Sequence, residues 1–570
     1  RLEAAELARS RQHPEHKANG DEQRYAHANY AMSFTKGLHH EPHTGVIDKK
    51  EAFESFRQAI DEGFIDAFTA EVPSSPEKER AWEAPTAGVT YDLEGPDAQA
   101  VTMLPAPALG SDELAYEMAE VYELALLRDH PLTDFRNNTT NQAVKDTLHR
   151  LNKLPYTNDE QSVRARTTEN GDLTEQTLFR GSSPKVEVGP YLSQFLLIGN
   201  DQPGNSGVDH GFVQYGALQI NQRVPVAKPQ DYLTTREDWL RSQNGANLRD
   251  NAELFDSYAP RRFITCPRDL ATYVHDDALY EAYLNACLIL LSMRTPFDPG
   301  FANLSGEGSF FLKNGESFAS CSRAAGGFAL YGGPHILTLV TEVATRALKA
   351  VRYQKFNNHI RLRPEALAGR IEYASAIEHT FKQIGKPFTT LADAIKPTVD
   401  AIRAANASGS ALLPMAFQEG SPMHPAYGAG HATVAGACVT ILKAFFDTDA
   451  VFVRRKTGDT SYVDLFARYQ ANDTEIAYVP NATGDNLVLD GCLNGEFLTL
   501  EGELNKLAAN ISIGRNMAGV HYYSDYYDSL RMGEEIAIGI LEEQALTYST
   551  DPFVLSLPTF DGDVVRIGNR

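Results

Sequence analysis

Three short stretches of this chain hold the residue types that bind and process an oxyanion. The first, Gly-Ser-Pro-Met-His-Pro-Ala-Tyr-Gly-Ala-Gly-His over 420–431, is a loop dense in Gly and Pro. It runs straight into an apolar stretch, 432–446, that reads as a buried helix ended by Asp447-Thr448-Asp449. Ala429, Gly430 and His431 therefore fall at a helix N-terminus. There the first amides have no intrahelical partner and the helix dipole favours an anion. Gly430 lets an oxyanion approach the backbone, and His431 can give or take a proton. The other two stretches supply cations in an otherwise acidic chain: Lys355 and Arg363 within 355–364, and Arg515 with His521 within 514–525. Three cations, two histidines and a helix N-terminus make a pocket for a tetrahedral oxyanion. Each piece alone has an ordinary reading as well: a Gly-rich helix entry, cations that complement a helix C-terminus, a core histidine.

The order Lys355…Arg363-Pro364, then Gly428-Ala429-Gly430-His431, then Arg515…His521 resembles the signature of the vanadium-dependent haloperoxidases. That signature is Lys…Arg-Pro, a Ser-Gly-His loop and Arg…His, and a related group of acid phosphatases shares it. The step of eight from Lys355 to Arg363 is the spacing of the algal bromoperoxidases; phosphatases and fungal chloroperoxidases usually use seven. The likeness extends to Ser-Phe-Thr-Lys-Gly-Leu at 33–38, Asp-Leu-Glu-Gly-Pro-Asp-Ala-Gln at 92–99, and 277–287. It thus spans most of the chain and is similar to the red-algal and cyanobacterial bromoperoxidases in particular.

The resemblance implies a vanadate cofactor. His521 would bond the metal at the apex of a trigonal bipyramid. Lys355, Arg363, Arg515, Gly430 and residue 429 would contact the oxygens, and His431 would act as acid and base. It further implies hydrogen peroxide and bromide or iodide as substrates, oxidised to a hypohalite equivalent that halogenates an organic acceptor. His424, seven before His431, and Arg352, one turn before Lys355, are secondary candidates on the halide path, against a loop histidine and a solvated helix arginine. Asp525, a turn after His521, could orient a neighbouring His or Arg. One departure stands out: the family's loop serine is Ala429 here. Red-algal members carry a calcium loop near 295–334, but the few carboxylates here (Asp298, Glu307, Glu316) argue against calcium. Family members form symmetric oligomers and are secreted or associated with the cell wall, so a homodimer or larger assembly and such a location are expected. Two alternatives share the motif: an acid phosphatase with His521 as nucleophile, and a non-catalytic assembly protein with a degenerate site, motivated by Ala429.

The elements that must position these residues read as helices. The chain has 570 residues and no Pro/Ser-rich linker or repeat, so one large domain is expected over 1–570. Residues 1–110 form an N-terminal arm and elaboration, and 269–545 the helical core that carries the site. Apolar residues recur three and four apart in helices near 47–62, 111–128, 141–152, 269–293, 335–356, 432–446, 500–518 and 524–544. The fold class is all-α, packed helical bundles of the haloperoxidase and acid phosphatase type, with small β decorations at 88–93, 212–220 and within 447–499. Residues 1–45, polar and rich in irregularly spaced histidines, read as a solvated arm. The net charge of −23 argues against nucleic acid or anionic lipid as partner. No apolar run approaches ~18 residues, so no membrane span is expected. Cys287 and Cys438 lie in apolar helices and read as core; Cys266, Cys321 and Cys492 lie in loop surroundings that could support disulfides. The start at Arg1, without Met or a signal-like apolar core, suggests a processed or trimmed form.

Overall fold

The computed structural model describes every residue except 159–162, 201–206, 250–259, 306–326, 492, 494 and 569–570. Eight helices matter for the site. They are α1 (Asp112–Leu126), α2 (Pro267–Asp276), α3 (Glu281–Met293), α4 (Gly333–Arg352), α5 (Pro364–Glu372), α6 (Gly430–Phe445), α7 (Leu500–Met517) and α8 (Tyr523–Thr547). The protein is mainly helical, as its periodicity implies. Helix α6 is the central rod, with every side chain from Ala432 to Phe445 buried. It crosses α8 at very short range because both helices carry glycine at the crossing. A Cβ on Gly436 would fall 1.9 Å from the Leu530 carbonyl oxygen, and one on Gly533 would fall 2.0 Å from that of Thr433. Alanine at either position forces the helices apart, at a cost of about 1–3 kcal/mol.

The β structure is peripheral. β1 (Phe212–Tyr215) and β2 (Leu218–Asn221) form a hairpin with Val213 opposite Ile220. In the insertion after α6, β3 (Val451–Lys456) lies between β4 (Tyr462–Ala467) and β5 (Thr474–Glu475), and β6 (Tyr478–Pro480) pairs with β7 (Leu487–Leu489). A C-terminal hairpin, β8 (Leu555–Pro558) with β9 (Val564–Ile567), closes against α6 and α8.

Three expectations need correction, and one group of helices was not anticipated. Residues 28–47 are not a solvated arm. Ala28, Ala31, Phe34, Leu38, Val46 and Ile47 are buried, and Lys36 Nζ donates to Glu365 Oε1 (2.8 Å) and to the carbonyls of Glu419 and Ser421. The N-terminal histidines find partners too: His40 bonds Thr35 Oγ1 at 3.0 Å, and His13 reaches Asp97, 84 positions on. The stretch 269–293 is two helices, because Asp277 adopts an extended conformation (ψ 146°) after α2. Residues 88–93 form no strand; Asp92 instead takes the ammonium of Lys349 from α4. Four helices between Pro364 and Ala405, short and mostly opened by Pro, carry no long periodic stripe and escape the periodicity reading.

Among the described residues no helix is long and apolar enough to cross a membrane. Cys287 and Cys438 are buried as expected, and Cys266 is buried with a free thiol; Cys321 and Cys492 lie outside the described residues, as do Glu307 and Glu316. No group of three or more His, Cys, Asp or Glu suited to a metal ion occurs among the described residues.

Candidate active site

Helix α4 does not simply stop. It passes at Arg352 into a π-helical turn, Tyr353–His359, which ends at Ile360 in a left-handed conformation (φ 42°). Wide turns of this kind rotate side chains off the regular helical face and recur at functional sites. Lys355 sits in that turn, fully buried, with Nζ donating to the carbonyls of Pro425 (2.8 Å) and Ala426 (3.1 Å) in the loop before α6. Arg363 follows in an extended conformation (φ −79°, ψ 157°), as a residue before Pro must, and caps α5. Its guanidinium donates to the His424 carbonyl through Nε (2.9 Å) and to the Val520 carbonyl through Nη1 (2.8 Å). It also reaches His521 Nε2 at 3.1 Å and His424 Nδ1 at 2.7 Å.

His521 lies in the turn between α7 and α8. Its Nδ1 pairs with Asp525 Oδ2 at 2.7 Å, and this fixes the proton on Nδ1 and leaves the Nε2 lone pair facing the cations. The capping arrangement of α8 holds Asp525 in place, because the same carboxylate accepts from the Tyr522 amide. Arg515, in the last turn of α7, donates through Nη1 to the Val274 carbonyl of α2. His431, in the first turn of α6, places Nε2 3.0 Å from Asp277 Oδ1.

The structure brings every candidate together. Arg352, Lys355, His424, Gly430, His431, Arg515 and His521 line one cavity of about 240 Å³, with Arg363 against it through His424 and His521. Ala429 caps α6, but its amide donates to Ser529 Oγ at 2.8 Å, so this amide is already engaged. Gly430 is open on its cavity side, where an added Cβ would meet only Leu348 at 3.6 Å.

Electrostatics set this cavity apart. Burial, then Arg363 and Arg352, holds the Lys355 ammonium well below its ordinary range. Burial outweighs the pull of Asp525 and pushes Arg363 down to about 9. Burial followed by Arg363, Lys355 and Arg515 keeps His521 far below the usual histidine value, so its imidazole is neutral. His424 is depressed in the same way by burial, Arg352 and Lys355. In His431 burial outweighs the opposing Asp277. Buried cations that suppress one another's protonation constitute a field that an anion would relieve. Two of their donors, Arg352 Nη1 and Arg515 Nε, are buried without a hydrogen-bond partner among the described residues. A vanadate ion fits this set: a lone pair at His521 Nε2, several cations, and orphaned N–H groups.

A protein from Corallina pilulifera named vanadium-dependent bromoperoxidase is 41% identical over 623 residues, covering 100% of this chain and 97% of its own. The chain belongs to the vanadium-dependent bromoperoxidase family. A bromoperoxidase from Corallina officinalis matches equally, at 41% over 627 residues, and one from Ascophyllum nodosum is 30% identical over 94% of this chain and 86% of its own. A profile of the VCPO second helical-bundle domain matches residues 400–546. The homohexameric structure of a second vanadate-dependent bromoperoxidase from Ascophyllum nodosum superposes with a TM-score of 0.77 at 25% identity, over 99% of this chain and 88% of that one.

The bromoperoxidase fold also recruits residues that motif reading assigned no role. Asp277 stands in a stretch noted for likeness alone, yet it is the partner of His431, 154 positions away. Arg80 and Glu83 reach the mouth of the cavity from the N-terminal elaboration, where Glu83 Oε2 lies 3.5 Å from His424 Nε2. Asp525, by contrast, was expected to orient a neighbouring His or Arg, and it meets both, accepting from His521 on one oxygen and from Arg361 Nη1 (3.0 Å) on the other.

Proposed function

We propose that this chain is a vanadium-dependent bromoperoxidase, oxidising bromide and iodide with hydrogen peroxide and halogenating organic acceptors through the hypohalite equivalent formed. The observation that carries this reading is the buried cluster of Lys355, Arg363 and Arg515 around the Nε2 lone pair of His521, with no carboxylate among the described residues bonded directly to Lys355 or Arg363. His521 would hold the metal; Lys355, Arg363, Arg515 and the α6 terminus at Gly430 would hold the oxygens. When bound there, vanadate supplies a Lewis acid that renders peroxide electrophilic toward bromide.

The protein's own residues do the rest. Asp525 fixes the His521 tautomer and ring plane. The three cations draw negative charge out of the oxygens in a cavity where burial strengthens every charge interaction. Neutral His431, braced by Asp277, takes and returns a proton beside the reacting oxygens. Arg352, with a free donor on the cavity wall, attracts halide, and His424 holds Arg363 in position. Assembly into a homo-oligomer is part of the proposal, in line with the homohexameric relative.

The test is bromination of a phenol dye by vanadium-free protein, with and without added vanadate, beside hydrolysis of a phosphate ester without peroxide. Bromination that requires vanadate, bromide and peroxide is expected, with phosphate as competitor. Ester hydrolysis without bromination would make the chain a phosphatase instead.

A further inference from the structure

Bromide oxidation consumes acid: H2O2 + Br− + H+ gives HOBr + H2O. Bromide gives up an electron pair, the O–O bond breaks and accepts it, and the proton ends in the departing water. A buried cavity must therefore import a proton from bulk at every turnover. His431 is poorly placed to do so. Its one carboxylate partner, Asp277, is 5% exposed, and burial disfavours its cation.

A second histidine–carboxylate pair lines the same cavity. His275 occupies the last turn of α2, between Val274, whose carbonyl holds Arg515, and Asp277, which holds His431. Its ring is stacked on Phe417 with centroids 3.8 Å apart, and its Nε2 lies 2.9 Å from Glu419 Oε1. Glu419 is as buried as Asp277, at 5% exposed, but the two carboxylates beside the His275 ring nitrogens continue to exposed surface. Glu419 also accepts from Arg249 Nη2 at 2.7 Å, and the Arg249 side chain is 52% exposed. Nδ1 of His275 faces Asp276 at 3.5 Å, beyond a good hydrogen bond, and that carboxylate is 48% exposed.

Resting on the bromoperoxidase reading, we propose that His275, clamped by Phe417 and Glu419, is the station through which the consumed protons enter the cavity from solvent. The charged groups around it are Asp276 on its own helix, Glu419 with Arg249 and Arg80 beyond it, Arg515 on α7 and His431 on α6. Burial disfavours its cation, but contacts with Asp276 and Glu419 outweigh burial and raise it above the usual histidine value. The C-terminal dipole of α2 favours a cation there as well. One cavity thus carries two histidines pushed in opposite directions, His275 toward the protonated form and His431 toward the neutral one, which is how acid and base are separated within a site. In the relay the imidazolium N–H breaks and its electron pair stays on the ring nitrogen. The proton passes across the shared cavity to the peroxide oxygen that leaves as water, and the ring, whose Nδ1 is buried without a hydrogen-bond partner among the described residues, is recharged through Asp276.

The test compares wild type, His275→Gln and Glu419→Gln, all vanadate-loaded, by bromination rate from about pH 5 to about pH 8, with vanadate affinity measured in parallel. Bulk acid substitutes for the relay at low pH and not at high pH. The pH 8 to pH 5 rate ratio of His275→Gln should therefore drop about a hundredfold, the lower side of what a positioned proton donor contributes. Added imidazole should restore it. Glu419→Gln, which keeps the ring but removes the charge that favours its cation, should move the alkaline limb to lower pH. Parallel pH profiles, or loss of vanadate affinity in step with activity, would overturn the relay and leave His275 a structural residue. Wild type that fails to require vanadate would overturn the bromoperoxidase reading instead.

Discussion

Arg361 and Arg363 stand two residues apart on one extended segment and live in opposite electrostatic worlds. Arg361 is paired with Glu117 and with Asp525 Oδ1, donates to Ser524 Oγ, and lies over the Tyr522 ring at 3.9 Å. Although burial opposes its charge, Glu117 and Asp525 raise its affinity for the proton. Arg363, equally buried, is held by two carbonyls and two imidazoles and is pushed down to about 9. Asp525 is the border between the two, with one oxygen for each side. A buried arginine that serves the fold is neutralised by carboxylates; one that serves an anion is left with neutral acceptors, and the fold bears that cost until the ligand arrives.

The two arginines should differ most in stability. Arg361→Met leaves Glu117 and half of Asp525 as uncompensated buried charges, so urea unfolding should show a loss of about 3–5 kcal/mol. Arg363→Met removes an unpaired charge instead. It should unfold at nearly the wild-type urea concentration yet bind vanadate more weakly by about 1.5–3 kcal/mol, the worth of a charged hydrogen bond. Equal stability losses in the two variants would erase the distinction. Asp525→Asn cuts across the border: vanadate affinity should drop about 10–100-fold through the lost orientation of His521.

Acid sensitivity sharpens the same contrast. His521 has a depressed value in the folded state, so between the ordinary histidine range and that value the unfolded chain binds a proton that the native chain refuses. Stability of the apo protein therefore falls as pH drops below about 6.5, by up to about 1.4 kcal/mol per unit for each such histidine. After burial, Arg363 is the largest cause of the depression. Arg363→Met should therefore flatten the slope of unfolding free energy against pH. The smallest effect is expected at Ala429, whose amide is already bonded to Ser529. Ala429→Ser should change vanadate affinity by less than about tenfold, the low end of one charged hydrogen bond. Relative rates with iodide, bromide and chloride should respond more.

What could be read from the sequence follows range. Lys355 to Arg363, Gly430 to His431 and Arg515 to His521 are each local, and helix starts, Pro positions and periodicity place them. The layout of α4, α6, α7 and α8 was visible for the same reason. Partners supplied from far along the chain were not. Asp277 reaches His431, Glu83 reaches His424 and Lys36 reaches Glu365 through contacts that leave no periodic trace. The N-terminal segment misled because its composition is polar, while its few apolar residues are the ones that thread the core. The π-helical turn around Lys355 escaped because nothing in the order of residue types distinguishes it from a continuing α-helix.

The cations left without a carboxylate among the described residues, together with the His521 lone pair, should hold one oxyanion per chain. Calorimetric titration of vanadate into vanadium-free wild type and His521→Ala tests it most directly. Saturable binding of one vanadate per chain in the wild type, displaced by phosphate, is expected, with binding lost in His521→Ala at an unchanged melting temperature. Absence of binding in the wild type, or equal affinity in the two proteins, would contradict it.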